Sequence, residues 1–233
     1  MTLQQFMDRL HSEYQGDTET PEDTEEDWDV RLNILYGAIN DWETAENVLW
    51  LELWTMLSDA VDGDTATDGT SIQYDCPTDF RFPGGFVRLT VGTQVTKYSV
   101  VRPEKAELSK GSNITMSGQG NICWFTGNKR SGFKINFLTA PEAGTIDYPY
   151  YKDAFLPTAA AHVIEMSDPW FAVRKTLSKL HELDGEGDRA GLALSLASNK
   201  LEGMKSNNST PIWFQDNAIP DRDTDIDTGG FGS

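Results

Sequence analysis

The sequence predicts an α+β fold: a helical bundle with one long helix, an inserted small antiparallel β domain and an extended C-terminal arm. Three observations predict it. Residues 27–60 hold no proline and a single glycine, Gly37, with apolar residues near heptad spacing. Residues 71–150 switch to period-two alternation broken by Gly, Pro and Asn clusters. Residues 207–233 carry neither period. The implied domains are 1–65 for the N-terminal helices, 66–150 for the β insertion, 151–206 for the closing helices and 207–233 for the arm.

Leu3, Phe6, Met7 and Leu10 recur at spacings of three and four, so residues 2–15 read as a short amphipathic helix ended by Gly16. Residues 17–29 hold eight acidic residues and no basic one. This is a solvated loop running into a helix start, where carboxylates suit the positive end of the helix dipole. The long helix follows, about 30 residues. Leu35, Ile39, Trp42, Leu49, Leu53 and Met56 form one apolar face. Ile34, Ala38, Ala45, Val48 and Leu57 form a second. Two apolar faces must both be buried, so the first six are assigned to packing between subunits. Helical spacing also sets Trp50 and Trp54 one turn apart on a shared side.

Alternation marks strands over residues 86–91, 96–101, 121–125 and 132–138, with a hairpin turn at 126–131. Helices resume after Ala159. Asp168 is an N-cap with Pro169 at the first helical position, and Asp184-Gly185-Glu186-Gly187 stops that helix. The last helix carries Ala190, Ala193, Leu194, Ala197, Leu201 and Met204, small residues that permit close packing.

The chain has 233 residues and a formal net charge of −18. Acidity disfavours tight nucleic-acid binding, which depends on Lys and Arg neutralising phosphate. Neither a signal peptide nor a membrane-spanning run is visible, so synthesis in a reducing compartment is expected, with Cys76 and Cys123 as free structural thiols.

Catalytic patterns fail one by one. His11, His162 and His181 show no metal spacing. A calcium loop starting at Asp62 would need glycine and glutamate where Thr67 and Gln73 stand. Asp227-Thr228-Gly229 has no second copy to share a proton with. No phosphate loop or nucleophile elbow is present. The expectation is a non-enzyme without cofactor or metal.

The arm holds Ile212, Trp213, Phe214 and Ile219 among Asp216, Asp221, Asp223, Asp225 and Asp227. A terminal segment of this composition orders only when something holds it, so these four apolar residues read as anchors on a partner.

Three segments resemble a known family. Residues 137–151 read as strand, Pro141-Glu142-Ala143-Gly144 turn, and a second strand ending in Tyr148-Pro149-Tyr150-Tyr151. Ser167-Asp168-Pro169-Trp170 then opens a helix, and Arg31-Leu32-Asn33-Ile34-Leu35-Tyr36-Gly37 lies early in the long one. In this order and spacing, over most of 28–206, the chain resembles the head-to-tail adaptors, or connectors, of tailed bacteriophages. The resemblance implies a homo-oligomeric ring beneath the portal protein, usually of 12 copies, with a tail or nozzle protein below. It implies that the arm docks on the portal and that DNA passes through the lumen without specific binding. It places the protein in the virion neck, made in the bacterial host cytoplasm, with no membrane involved. Two other readings stand beside it. One is a carbohydrate-binding or carbohydrate-cleaving virion protein with Trp124, Phe125, Tyr148, Tyr150 and Tyr151 as a sugar platform. The other is a tail terminator or gatekeeper ring.

Overall fold

The computed structural model describes residues 1–16, 20, 22, 25–46, 48–106 and 121–208. Helix α1, Leu3–Tyr14, opens on a reciprocal cap: Gln5 N–H donates to Thr2 Oγ1 and Thr2 N–H to Gln5 Oε1. Its buried face is Leu3, Phe6, Met7, Leu10 and His11, the periodic set with one neighbour added. Helix α2, Glu26–Glu43, has Glu26, Asp27 and Asp29 in its first turn.

There the expected long helix ends. Thr44 Oγ1 turns back to Asn40 O at 2.7 Å, and residues 51–53 make a single 3-10 turn. Residues 54–56 are then a strand, β1 (Trp54–Met56), not helix. The reason is non-local. β1 pairs antiparallel with β10 (Pro149–Lys152), Trp54 facing Tyr151 and Met56 facing Pro149.

Helices α3, Trp170–Leu183, and α4, Gly187–Asn208, form an antiparallel hairpin. The Asp168 carboxylate accepts the Trp170 N–H at 3.0 Å. Gly185, at φ +77°, makes the turn. Ala190, Ala193 and Ala197 let α4 lie close on α3, where Ser178 Oγ donates to Ala190 O at 2.9 Å.

The fold class expected from the sequence is corrected here. Among the described residues ten strands in two sheets stand beside the four helices, which makes this a mixed α and β fold and not a helical bundle with a small β insertion. The three-stranded sheet runs β1-β10-β4, with β4 Phe80–Pro83. The seven-stranded sheet runs β2-β9-β5-β6-β7-β8-β3. Its strands are β2 Ala66–Thr67, β3 Gln73–Asp75, β5 Phe86–Val91, β6 Gln94–Val100, β7 Ile122–Asn128, β8 Gly132–Phe137 and β9 Gly144–Asp147. Nor is it purely antiparallel, since β6 and β7 pair in parallel through Ser99–Ile122 and Val100–Cys123.

Two apolar cores result. α1–α4 enclose one around Phe6, Leu35, Trp42, Trp50, Phe171 and Ala197. The two sheets enclose the other around Phe80, Val87, Cys123, Ile135, Phe137, Tyr148 and Tyr150. β10 is the wall between them. Alternation sends Tyr150 into the β core while Tyr151 packs against the helical one.

Candidate functional site

The chemistry-bearing surface lies where the two cores meet. Trp50 anchors it: it is 1% exposed, stacks on Trp42 at 5.4 Å, and donates Nε1–H to Trp42 O at 2.6 Å. That anchor turns the chain outward. Leu49, Leu51 and Trp54 are left 48%, 52% and 46% exposed, a cluster of large apolar groups on one short segment. Across the three-stranded sheet, Trp54, Tyr151 and Phe82 form one cross-strand row. The last described residue of α4 is tied to the same segment. Asn208 Oδ1 accepts the Leu51 N–H at 2.8 Å, and its Nδ2 donates to Leu49 O at 2.9 Å.

Beside Phe82 opens a cleft of about 500 Å³. Its floor is aromatic: Phe80 stacks on Phe125 at 5.0 Å and leans on Phe133 at 5.2 Å. Val100 and Pro83 extend the walls, and Arg81 and Arg102 stand at its polar edge. Arg81 pairs with Glu43 Oε1 at 2.8 Å, bonds Glu43 O at 3.0 Å and lies over the Phe82 ring. Burial pushes the Glu43 carboxyl upward, opposed by Arg81 and by the Ala154 N–H. Arg102 is exposed and makes no ion pair among the described residues. The arrangement can hold a flat apolar group with a negative charge nearby.

Two other clefts offer less. A groove of about 550 Å³ between α2, α3 and α4 has mixed charge, with Lys175 paired to Asp41 at 3.0 Å. An acidic recess of about 410 Å³ gathers Asp62, Asp64 and Asp75. Their oxygens are engaged in turns and pairs: Asp62 accepts from Thr78 N and Oγ1, Asp64 from Asp75 N, and Asp75 from Lys134. Asp68 nearby is held well below the usual carboxylate range by hydrogen bonds from Ser71 and Thr70. This is the acidic turn the sequence suggested. Among the described residues no three His, Cys, Asp or Glu are placed to hold a metal. The histidines each meet a neighbouring group. His11 bonds Arg31, His162 Nδ1 accepts Thr158 and Ala159 N–H groups, and His181 lies 2.8 Å from Glu186. Cys76 and Cys123 are free and buried.

The six residues assigned to subunit packing are dispersed. Leu35, Ile39, Trp42 and Leu53 lie at 2% exposure or less in the chain's own core, so they cannot face a neighbour. Met56 is half-buried in β1, and Leu49 alone stays exposed. The assignment fails because it took residues 27–60 as one helix. The arm anchors Ile212, Trp213, Phe214 and Ile219 lie outside the described residues. The sugar platform is lost, since Trp124, Tyr148 and Tyr150 are buried. The cleft of Phe80, Phe82, Phe125, Phe133, Arg81 and Arg102 went unread in the sequence. Phe80-Arg81-Phe82 was a signal for a strand with both aromatics on one face.

No protein-family model matches the chain, and no curated protein matches it. Among the described residues no helix is long and apolar enough to cross a membrane.

Proposed function

We propose that this chain is a structural adaptor of a tailed-phage neck, assembling as a ring between the portal protein and a tail or nozzle protein, with DNA passing through. The observation that carries the reading is the hand-off at Asn208. A helical hairpin ends there, hydrogen-bonded to Leu49 and Leu51 beside three exposed apolar side chains, and an acidic segment bearing Trp213 and Phe214 follows. A folded body followed by a short segment carrying aromatic residues is suited to joining two larger bodies. The paired-tyrosine strand and the Asp168-Pro169 helix start support the same resemblance.

Ring contacts now fall to other surfaces than the long-helix face. Leu192 and Leu196, one turn apart on α4, are 64% and 40% exposed and form a stripe that no described residue covers, suited to a neighbouring copy. The net charge of −18 suits a lumen that DNA crosses without adhering. The virion neck is the proposed location, after synthesis in the host cytoplasm.

The test is the mass of the protein alone and mixed with its portal ring, for the full chain and for one ending at Asn208. Addition in ring stoichiometry by the full chain alone supports the adaptor reading and the arm as anchor. A full chain that stays monomeric and ignores the portal at high concentration refutes it.

A further inference from the structure

The aromatic cleft is built, roomy and unfilled by any described side chain, and the chain carries a segment of matching chemistry a few residues from it. We propose that the cleft between β4, β6, β7 and β8 is the seat of this chain's own C-terminal segment, with Trp213 and Phe214 on the Phe80–Phe125–Phe133 floor and Asp216 facing Arg102.

One hydrogen bond and two shared clefts mark the path. Asn208, where α4 ends, holds the Leu49 carbonyl. Leu49 and Phe82 line one small cleft of about 10 Å³, so they are near neighbours. Phe82 also lines the large cleft. Trp213 follows Asn208 by five residues, an extended reach of at most about 18 Å. The cleft volume of about 500 Å³ falls in the range of sites that enclose a small ligand, about 300–1,000 Å³, enough for two rings.

Charge points the same way. Residues 209–233 hold five aspartates and one arginine in a chain whose net charge is −18. An acidic segment is repelled from most of such a surface. Here Glu43 already pairs Arg81, leaving Arg102, among the described residues lining the cleft, as the cation that an aspartate two residues beyond Phe214 can meet. Stacking on aromatic rings with a charged group at the rim is how such a segment would be selected. The proposal needs neither a ring nor a portal. In a neck protein it would keep the arm on its own subunit until the portal competes for it.

The experiment uses the full chain in solution without portal. Pro103→Cys at the cleft rim is combined with Gln215→Cys in the arm, and a short bismaleimide is added near neutral pH. Cys76 and Cys123 are buried, with thiols pushed up to about 12, and stay silent. A cross-link within one chain is expected. Adding Trp213→Ala with Phe214→Ala should lower its yield about tenfold, since both rings leave the floor. Arg102→Glu should lower it by a smaller factor. Absence of the intrachain cross-link overturns the proposal. So does a link found only between chains, which would seat the arm of another copy, or a yield indifferent to loss of the two rings. Portal binding plays no part in the readout, so failure here and failure of the adaptor reading are separate results.

Discussion

Trp50 and Trp54 make the sharpest test of how the chain leaves α2. One continuous helix would put both on a single side and make their loss comparably costly. The structure separates them: Trp50 is 1% exposed against Trp42, while Trp54 is 46% exposed on an edge strand. Truncating Trp50 to alanine removes about 150–250 Å² of buried surface, an upper bound of about 4–6 kcal/mol at ~25 cal/mol per Å². It also removes the stack on Trp42 and the 2.6 Å hydrogen bond to Trp42 O. That carbonyl keeps Ala45 N–H as a donor, so no buried acceptor is orphaned. Cavity relaxation brings the expected loss to about 3–5 kcal/mol. Trp54→Ala, half in water already, should change stability by less than about 1 kcal/mol. Trp50→Phe should fall between, near 1–2 kcal/mol, keeping a ring but losing the N–H. The assay is denaturant unfolding followed by far-ultraviolet circular dichroism, because fluorescence would change with the tryptophans themselves. Equal losses at positions 50 and 54, or a Trp50→Ala effect below about 1 kcal/mol, would refute the arrangement.

Other consequences are equally concrete. Gly127→Ala should cost roughly 3 kcal/mol or more, because the residue sits at φ +108° and a Cβ there would lie 2.2 Å from Gly132 O; thermal unfolding measures it, and a neutral variant would contradict the β7–β8 register. Thr2→Ala should lower stability by about 1 kcal/mol through loss of the reciprocal cap on α1, read from the same melts. Alkali should destabilise the fold. Burial pushes Cys76 and Cys123 up to about 12 and raises Tyr148 and Tyr150 as well, whereas in the unfolded chain thiols ionise near pH 8.5. The raised folded values mean that stability is full below about pH 8.5 and falls as pH climbs toward 12, by up to ~1.4 kcal/mol per pH unit for each group. Stability flat over that window would show these groups to be solvated. Both thiols should also resist a water-soluble disulfide reagent at pH 8 until denaturant is added.

The sequence by itself determined what local periodicity and capping can carry. Leu3, Phe6, Met7 and Leu10 marked α1, and Asp168-Pro169 marked the start of α3, because each signal lies within one or two helical turns of what it specifies. Strands β5, β7 and β8 were legible from alternation, and the free state of both cysteines from their number and context. Tertiary structure decided the rest. Residues 44–60 have the apolar spacing of a helix, yet β10, nearly a hundred residues later, takes Trp54–Met56 into a ladder, and Trp42 takes Trp50 into a stack. Pairing across that distance overrides propensity and leaves no mark in any window of sequence. The same event moved Leu35, Ile39, Trp42 and Leu53 from a supposed outer face into the core and gathered Phe80, Phe125 and Phe133 from three strands into one cleft. A surface assembled from distant segments exists only once the sheets have closed around their core, so no reading of one segment at a time could have placed it.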